Sequence, residues 1–260
     1  MILSSSTWKE VEDYLNDSVV ALIPLGATEQ HGLHLPINTD TFNSKEIAKR
    51  VHSRVSTDAK VLLLPSLPYG VSTTHMAFPG TVTLSAETYI RAVKELCLSL
   101  AKHKVKKIVL LNGHVGNSAP LAVVCTEVNV ETDTAMFLVN WWDLCGDSIS
   151  KNFGFMFHAC EAETSVAAAL GQVVQVDKAR GEKPRSQVEL IKFNMFAEGP
   201  RIQQASIKTL EKLSPTGAVG EPEKMDLKKG EEIVEVALDR LGQLLVEISR
   251  GISISSIHHS

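Results

Sequence analysis

The chain has 260 residues, 44% of them hydrophobic and 22% charged, with a formal net charge of -4. That length and composition fit one globular domain spanning 1–260 with a sizeable core, and the acidic balance gives no electrostatic case for nucleic acid as a main partner. No run of about 18 apolar residues exists to cross a membrane, and Met1–Glu10 lacks a basic region followed by an apolar run; the expectation is a cytoplasmic protein whose four cysteines, none in a CxxC pair, stay reduced.

In chain order, Thr7 and Glu10 have the spacing of a capping box and predict a helix from Trp8 to about Asn16. The apolar run at 19–24 reads as a buried strand. Gly26-Ala-Thr-Glu-Gln-His-Gly-Leu-His-Leu-Pro-Ile-Asn-Thr-Asp40 follows it and carries Glu29, His31 and Asp40. A helix is predicted from Thr41 to about Val55, a second strand at 61–64, and a long loop from Pro65 to Thr83 that holds His75 and Phe78. Ser85 should cap a helix running to about His103. A third strand ends at Leu111, before Asn112-Gly-His-Val-Gly-Asn117, and the next helix runs to about Glu131. A fourth strand at 134–139 precedes Trp141-Trp142-Asp143, and 144–157 reads as irregular. His158-Ala-Cys-Glu-Ala-Glu163 leads into an Ala-rich helix at 166–170. The pattern is weak from 171 to 213, and Asp226–Arg250 is a strongly amphipathic helix.

Strands that alternate with helices predict an α/β protein, a three-layer α/β/α sandwich around a mostly parallel sheet. Ligands in such sheets sit outside the carboxyl ends of the strands. The four polar loops all follow strands, so they should converge on one edge. Glu29 and His31 are two apart and leave the same face of an extended chain. With Asp40 and His114 they offer the carboxylate and imidazole donors of a hydrolytic metal site.

Other readings of these residues are open at this level. Asp40 could cap the helix at Thr41. Glu161 and Glu163 could be first-turn acids, and on a helix only one of them should enter the site. His75 and His158 are candidates for substrate contact or proton transfer, whereas His34 reads as a loop residue and His52 and His103 as helix-end residues. Trp141 or Trp142 could wall a small planar ligand.

The motifs Pro24–Asp40, Phe78-Pro-Gly-Thr81, Asn112–Asn117, His158-Ala-Cys-Glu-Ala-Glu-Thr-Ser165 and Ser214-Pro-Thr-Gly-Ala-Val-Gly220 together resemble the creatininase (creatinine amidohydrolase) family. The resemblance implies two divalent metal ions per chain, zinc, manganese or iron. Glu29, His31, Asp40 and His114 would be ligands, with Asp40 bridging. It implies that Glu163 is a ligand or acid/base at the second metal, that His158 acts near the scissile bond, and that the chain is a homo-oligomer, possibly a hexamer. The implied chemistry is attack of a metal-activated water on the amide or formamide carbonyl of a small molecule. His75, Phe78, Val115 and Trp142 would contact that substrate.

Creatininase proper carries Asn-Gly-His-Tyr-Glu-Asn after its third strand, with the Glu a metal ligand and the Tyr at the substrate. Val115 and Gly116 replace both here, and no Trp stands in the Gly-Phe-Met-Phe segment before His158. The Gly form is shared with formamidopyrimidine-nucleotide deformylases and mycofactocin-type peptidases, which are the alternative activities. A non-catalytic metal- or metabolite-binding module is the alternative from another class. Arg180, Lys183, Arg185 and Arg201 are the cations that could serve a phosphate.

Overall fold

A computed structural model describes residues 1–183, 194–196 and 209–251. Its frame is a parallel sheet of four strands, β1 (Val20–Leu25), β2 (Val61–Leu63), β3 (Lys107–Asn112) and β4 (Ala135–Asn140), in the order β2-β1-β3-β4. All three pairings are parallel, with Leu22 opposite both Leu63 and Val109, and Leu110 opposite Leu138. Every residue of β1 is buried, as expected for a strand covered on both faces. Alternate side chains serve separate cores. Val20 and Leu22 pack on one face, and Ala21, Ile23 and Leu25 on the other.

Helices fill the two outer layers. In chain order they are α1 (Trp8–Tyr14), α2 (Thr39–Arg54), α3 (Ala86–Lys102), α4 (Ser118–Glu131), α5 (Trp141–Leu144), α6 (Gly146–Asn152), α7 (Glu161–Ala169) and α8 (Leu227–Arg250). The core on one face joins Ile47, Ala48 and Val51 of α2 to Ile233, Ala237, Leu241 and Leu245 of α8. The opposite core joins Tyr89, Val93 and Cys97 of α3 to Leu121, Val124 and Val128 of α4. The three-layer α/β/α arrangement therefore holds.

Local signals account for several helix ends. Thr7 and Glu10 form both halves of the capping box. The side chains of Ser85 and Asp226 accept from the Thr88 and Lys229 backbone N–H groups. Asn117 precedes α4 without capping it. Its side chain accepts instead from Val71 N–H and donates to the Gly26 carbonyl, tying the loop after β3 to the end of β1.

Three boundaries differ from those the sequence predicts. Helix α2 starts at Thr39, so Asp40 lies inside its first turn and does not cap it. Residues 141–152 form α5 and α6, although they lack a periodic apolar pattern; Trp141, Trp142, Cys145 and Ile149 hold them to the core. Helix α7 begins at Glu161, which brings both candidate acids into its first turn.

Two glycines decide where α2 begins in space. A Cβ on Gly26, just past β1, would lie 2.4 Å from the Thr41 Cα, and one on Gly113, just past β3, would lie 2.3 Å from the Asp40 carbonyl oxygen. Only bare backbone lets the first turn of α2 sit against both strand ends. The polar groups of that turn thus reach the gap between β1 and β3, where the strand order reverses. Gly113→Ala should therefore destabilise the metal-free protein by about 1–3 kcal/mol through overpacking. Urea unfolding without added metal measures this, and an unchanged midpoint would contradict the close approach.

Candidate metal centre and active-site cavity

Six predicted site residues meet at that gap, in three overlapping groups of donors. Glu29, Asp40 and His114 form one; His31, Asp40 and Glu163 form the second; Glu29, His31 and His158 form the third. Asp40 uses both carboxylate oxygens. His31 Nε2 is 3.1 Å from its Oδ1 and His114 Nδ1 is 3.0 Å from its Oδ2. A carboxylate facing two imidazoles in this way has the disposition of a bridge.

Glu29 is the least satisfied of these donors. Both its oxygens are buried, and neither has a hydrogen bond of good geometry among the described residues, although the Ser72 hydroxyl lies close enough to favour its charge. Three imidazole nitrogens surround its Oε1: His114 Nδ1 at 3.4 Å, His75 Nε2 at 3.5 Å and His158 Nδ1 at 3.6 Å. These separations are long for hydrogen bonds. The His114 separation matches two ligands of a common ion, since two ligands each about 2.1 Å from a tetrahedral cation lie about 3.4 Å apart, and Asp40 completes that group. The donor set thus fits divalent metal.

The outward ring nitrogens of two histidines are already engaged. His31 Nδ1 is 3.1 Å from the Glu29 carbonyl oxygen, and His114 Nε2 is 3.0 Å from the Val71 carbonyl oxygen. Each ring donates to a backbone carbonyl and turns its other nitrogen inward, the arrangement that orients metal-ligating histidines. A Cβ at Gly116 would lie 2.2 Å from the same Val71 oxygen and 2.4 Å from His114 Nε2. The position that carries an acid in creatininase proper is therefore filled here by this hydrogen bond.

Helix α7 resolves the choice between its two acids. Glu163 Oε2 accepts from the Ala159 N–H at 2.6 Å, and its Oε1 lies 3.9 Å from His31 Nε2. Glu161 turns away and accepts from the Glu221 N–H at 2.8 Å. Ala159 has φ of 48°, a conformation that costs a non-glycine residue energy and that aims its N–H at Glu163.

Charge follows burial in the metal-free protein. Burial pushes the Glu29 and Glu163 carboxyls up to about 7. Burial opposes charge on His31 and His114, but Asp40 with Glu163 and Glu29 on His31, and Glu29 with Asp40 on His114, raises them to about 10 and about 9. Asp40 is held below the usual carboxylate range, because His31 and His114 outweigh its burial. His75 is lowered to about 3 by burial and then by His114 and His31, and His158 falls well below its ordinary value by burial and the charges of His75 and His31. Protons on His31 and His114 supply the positive charge that cations would otherwise bring.

The site opens into a cavity of about 360 Å³. Glu29, Asp40, His75, His114, His158 and Glu163 form its polar floor; Val71, Val115, Trp142, Met156 and Leu210 are among its apolar walls. His75, Val115 and Trp142 thus lie where the sequence expected substrate contacts. Phe78, assigned to the same role, is not among the lining residues. Its segment acts from behind, through the Thr81 hydroxyl that accepts from the Gln30 N–H at 3.2 Å. His34 is fully buried, with Nε2 2.9 Å from the Thr164 hydroxyl, and belongs to the support. Trp141 is core. No Lys or Arg among the described residues lines the cavity; Lys183 pairs with Glu221, and Arg185 and Arg201 lie outside the described residues. A larger groove of about 1010 Å³, lined by Trp8, Leu62 and His103 among others, holds none of the donor groups.

Sequence reasoning passed over Gln30, the side chain between two candidate ligands. Strict alternation would turn it away from Glu29 and His31, yet its amide reaches both His75 and His158.

Fold and site together define a three-layer α/β/α protein with metal-capable carboxylate and imidazole groups at its switch point, and residues 4–245 match the family model for creatininase, creatinine amidohydrolase. The chain belongs to the creatininase family. It is 29% identical over 243 residues to a mycofactocin precursor peptide peptidase of Mycobacterium ulcerans, covering 90% of this chain and 83% of the relative. It is 27% identical over 262 residues to the creatinine amidohydrolase of Pseudomonas putida, covering 93% and 94%. Among solved structures, a mutant creatininase of Zn-Zn type superposes with a TM-score of 0.76 at 25% identity over 95% of this chain and 97% of that one. A manganese creatininase superposes with a TM-score of 0.75 at 26% identity over 95% and 97%.

The charge pattern predicts how the metal-free and loaded forms respond to pH. Glu29, Glu163, His31 and His114 all have raised values in the folded chain. Their contribution to stability is complete below their unfolded values and is lost as pH rises through about 7 for the carboxyls and through about 9 and about 10 for the histidines. A cation competes with those same protons. The rise in Tm on adding zinc should therefore be larger at about pH 8 than at about pH 5.5. Calorimetric scans at the two values check this, and an equal or smaller rise at the higher pH would contradict it.

Proposed function

We propose that this chain is a metal-dependent amidohydrolase that cleaves a non-peptide C–N amide bond, cyclic amide or formamide, of a small uncharged molecule. The observation that carries the reading is the pair of buried donor groups, Glu29, Asp40 and His114 beside His31, Asp40 and Glu163, that share the Asp40 carboxylate. In this reading Glu29, Asp40 and His114 hold one cation, His31, Asp40 and Glu163 hold the other, and Asp40 is shared. Glu163 supplies the carboxylate that position 116 lacks. Two divalent cations, when bound, lower the pKa of water and polarise a carbonyl oxygen.

The chain's own residues supply the rest. His158 Nδ1 faces the donor cluster from the cavity side and is the proton carrier: it accepts from the attacking water and returns the proton to the departing nitrogen. Glu163, with one oxygen fixed by the Ala159 N–H, holds metal and is not the mobile acid. Val71, Val115, Trp142 and Met156 exclude water and hold an apolar part of the substrate. The cavity's lack of cations among the described residues disfavours a phosphorylated nucleotide. Its apolar wall favours, as the second reading, a short peptide of the mycofactocin-peptidase type. A cytoplasmic homo-oligomer, up to a hexamer, belongs to the same proposal; Val123 and Val130 of α4, 43% and 82% exposed, are apolar surface available for such contacts.

Zinc- or manganese-loaded protein tested on creatinine, other cyclic amides, formamides, formamidopyrimidine nucleotides and short peptides should hydrolyse an uncharged amide. Peptides alone being cut would favour the second reading, and a chain that retains no metal would exclude both. His158→Gln should lower kcat about 10²–10⁴-fold while leaving metal content unchanged. Loss of one equivalent of metal in that variant would make His158 a ligand instead.

A further inference from the structure

We propose that Gln30 is a positioning residue that sets the tautomers of His75 and His158, giving the two neighbouring rings opposite tasks. This rests on the hydrolase reading for its purpose, but its geometry stands on the chain alone. The amide of Gln30 has one orientation. Its Oε1 accepts from the Gly32 N–H at 2.9 Å, and its Nε2 donates to the Gly217 carbonyl at 3.0 Å. Both partners are backbone groups of fixed polarity, so a flipped amide would set donor against donor and acceptor against acceptor. Three loops hold it there. Thr81 receives its backbone N–H, Gly32 and Gly217 hold its side chain, and a Cβ at Gly217, where φ is 88°, would lie 1.9 Å from Oε1. The Phe78–Thr81 and Ser214–Gly220 motifs thereby act on both rings through Gln30, beside the Val219 N–H that donates to the His158 backbone carbonyl at 2.8 Å.

Nε2 has one hydrogen left and two imidazoles near it, His75 Nδ1 at 3.1 Å and His158 Nε2 at 2.9 Å. The backbone decides between them. His158 Nε2 also lies 2.9 Å from the Gln30 carbonyl oxygen, which can only accept. That nitrogen must carry a hydrogen, or two lone pairs would face each other. The remaining amide hydrogen then goes to His75 Nδ1, and the short approach of the two nitrogens has neither hydrogen along its line.

For the neutral rings the consequences are opposite. His158 has its lone pair on Nδ1, 3.6 Å from Glu29 Oε1, ready to accept a proton. His75 has its hydrogen on Nε2, 3.5 Å from the same oxygen. An imidazole protonated there cannot ligate a cation through Nε2. His75 is thus a donor toward the cavity, suited to a substrate carbonyl or a developing anion, although its spacing from Glu29 resembles a ligand's. One glutamine separates a proton acceptor from a hydrogen-bond donor on rings whose centroids are 4.5 Å apart.

Long-range ¹H–¹⁵N spectra of the full chain, labelled at histidine and loaded with zinc, report each tautomer directly. The two rings are assigned from the signals lost in His75→Gln and His158→Gln. Both should be Nε2–H in the unsubstituted protein. Gln30→Glu replaces the donor to His75 by an acceptor; His75 should then shift to mostly Nδ1–H, while His158, held by the backbone carbonyl, stays Nε2–H. An Nδ1–H His75, a zinc-bound His75 Nε2 or an Nδ1–H His158 in the unsubstituted protein overturns the proposal, as does an unmoved His75 in the variant. If Gln30→Glu does not fold, the unsubstituted spectrum decides. The spectra need no turnover, so a failed substrate screen and a failed tautomer assignment are read separately.

Discussion

Three carboxylates, Glu29, Asp40 and Glu163, are buried around one small cavity, and most of the site follows from the need to balance their charge. An isolated anion in such a place would cost several kcal/mol. The fold answers with imidazoles and with the first turn of α2, where the aligned N–H groups favour the Asp40 anion. The balance is incomplete. Glu29 keeps two unsatisfied oxygens. That deficit is most economically met by a divalent cation, and it is hard to account for in a protein that only needed to be stable.

The sheet makes this concentration of charge possible. Strands β2 and β3 flank β1 on opposite sides, and the crossovers that lead to them, α2 and α3, lie on opposite faces of the sheet. The crevice between the carboxyl ends of β1 and β3 is therefore open to loops from several directions. Glu29 and His31 arrive on the loop after β1, His114 on the loop after β3, Asp40 on the helix seated across both, and Glu163 on α7 from the layer that carries α8. Gly26 and Gly113 remove the two Cβ atoms that would hold α2 off the strand ends. Precision comes from rigid elements, and the support around them is largely backbone: the carbonyls of Glu29 and Val71 fix the rings of His31 and His114.

The departures from creatininase proper have a physical reading. Gly116 lies against the Val71–His114 hydrogen bond, so an acid there would displace the support of a candidate ligand. The Glu163 carboxylate of α7 instead lies 3.9 Å from His31 Nε2. Val115, where creatininase proper has Tyr, places an apolar side chain, 53% exposed, in the cavity wall.

Much of this protein was legible before any coordinates. Alternating strands and helices imply a three-layer sandwich because parallel strands need crossover helices. Donors placed after successive strands imply a shared edge because parallel strands end together. The amphipathic stripe of α8 and the caps at Thr7 and Ser85 are local physics, and they appear as read; Asp226, read as the first residue of α8, proves to be its cap. Tertiary structure alone decided matters that depend on distant neighbours. Residues 141–152 became helical because a core received Trp141 and Ile149, not because their pattern demanded it. Phe78 missed the cavity, and its segment supports Gln30 from behind, because an irregular loop has no period to read. Glu163 rather than Glu161 entered the site because the N–H of Ala159 and that of Glu221 each captured one acid. Gln30 escaped notice because alternation holds only in an extended strand. The loop around it bends, and only three-dimensional contact with Gly32, Thr81 and Gly217 reveals which way its amide points.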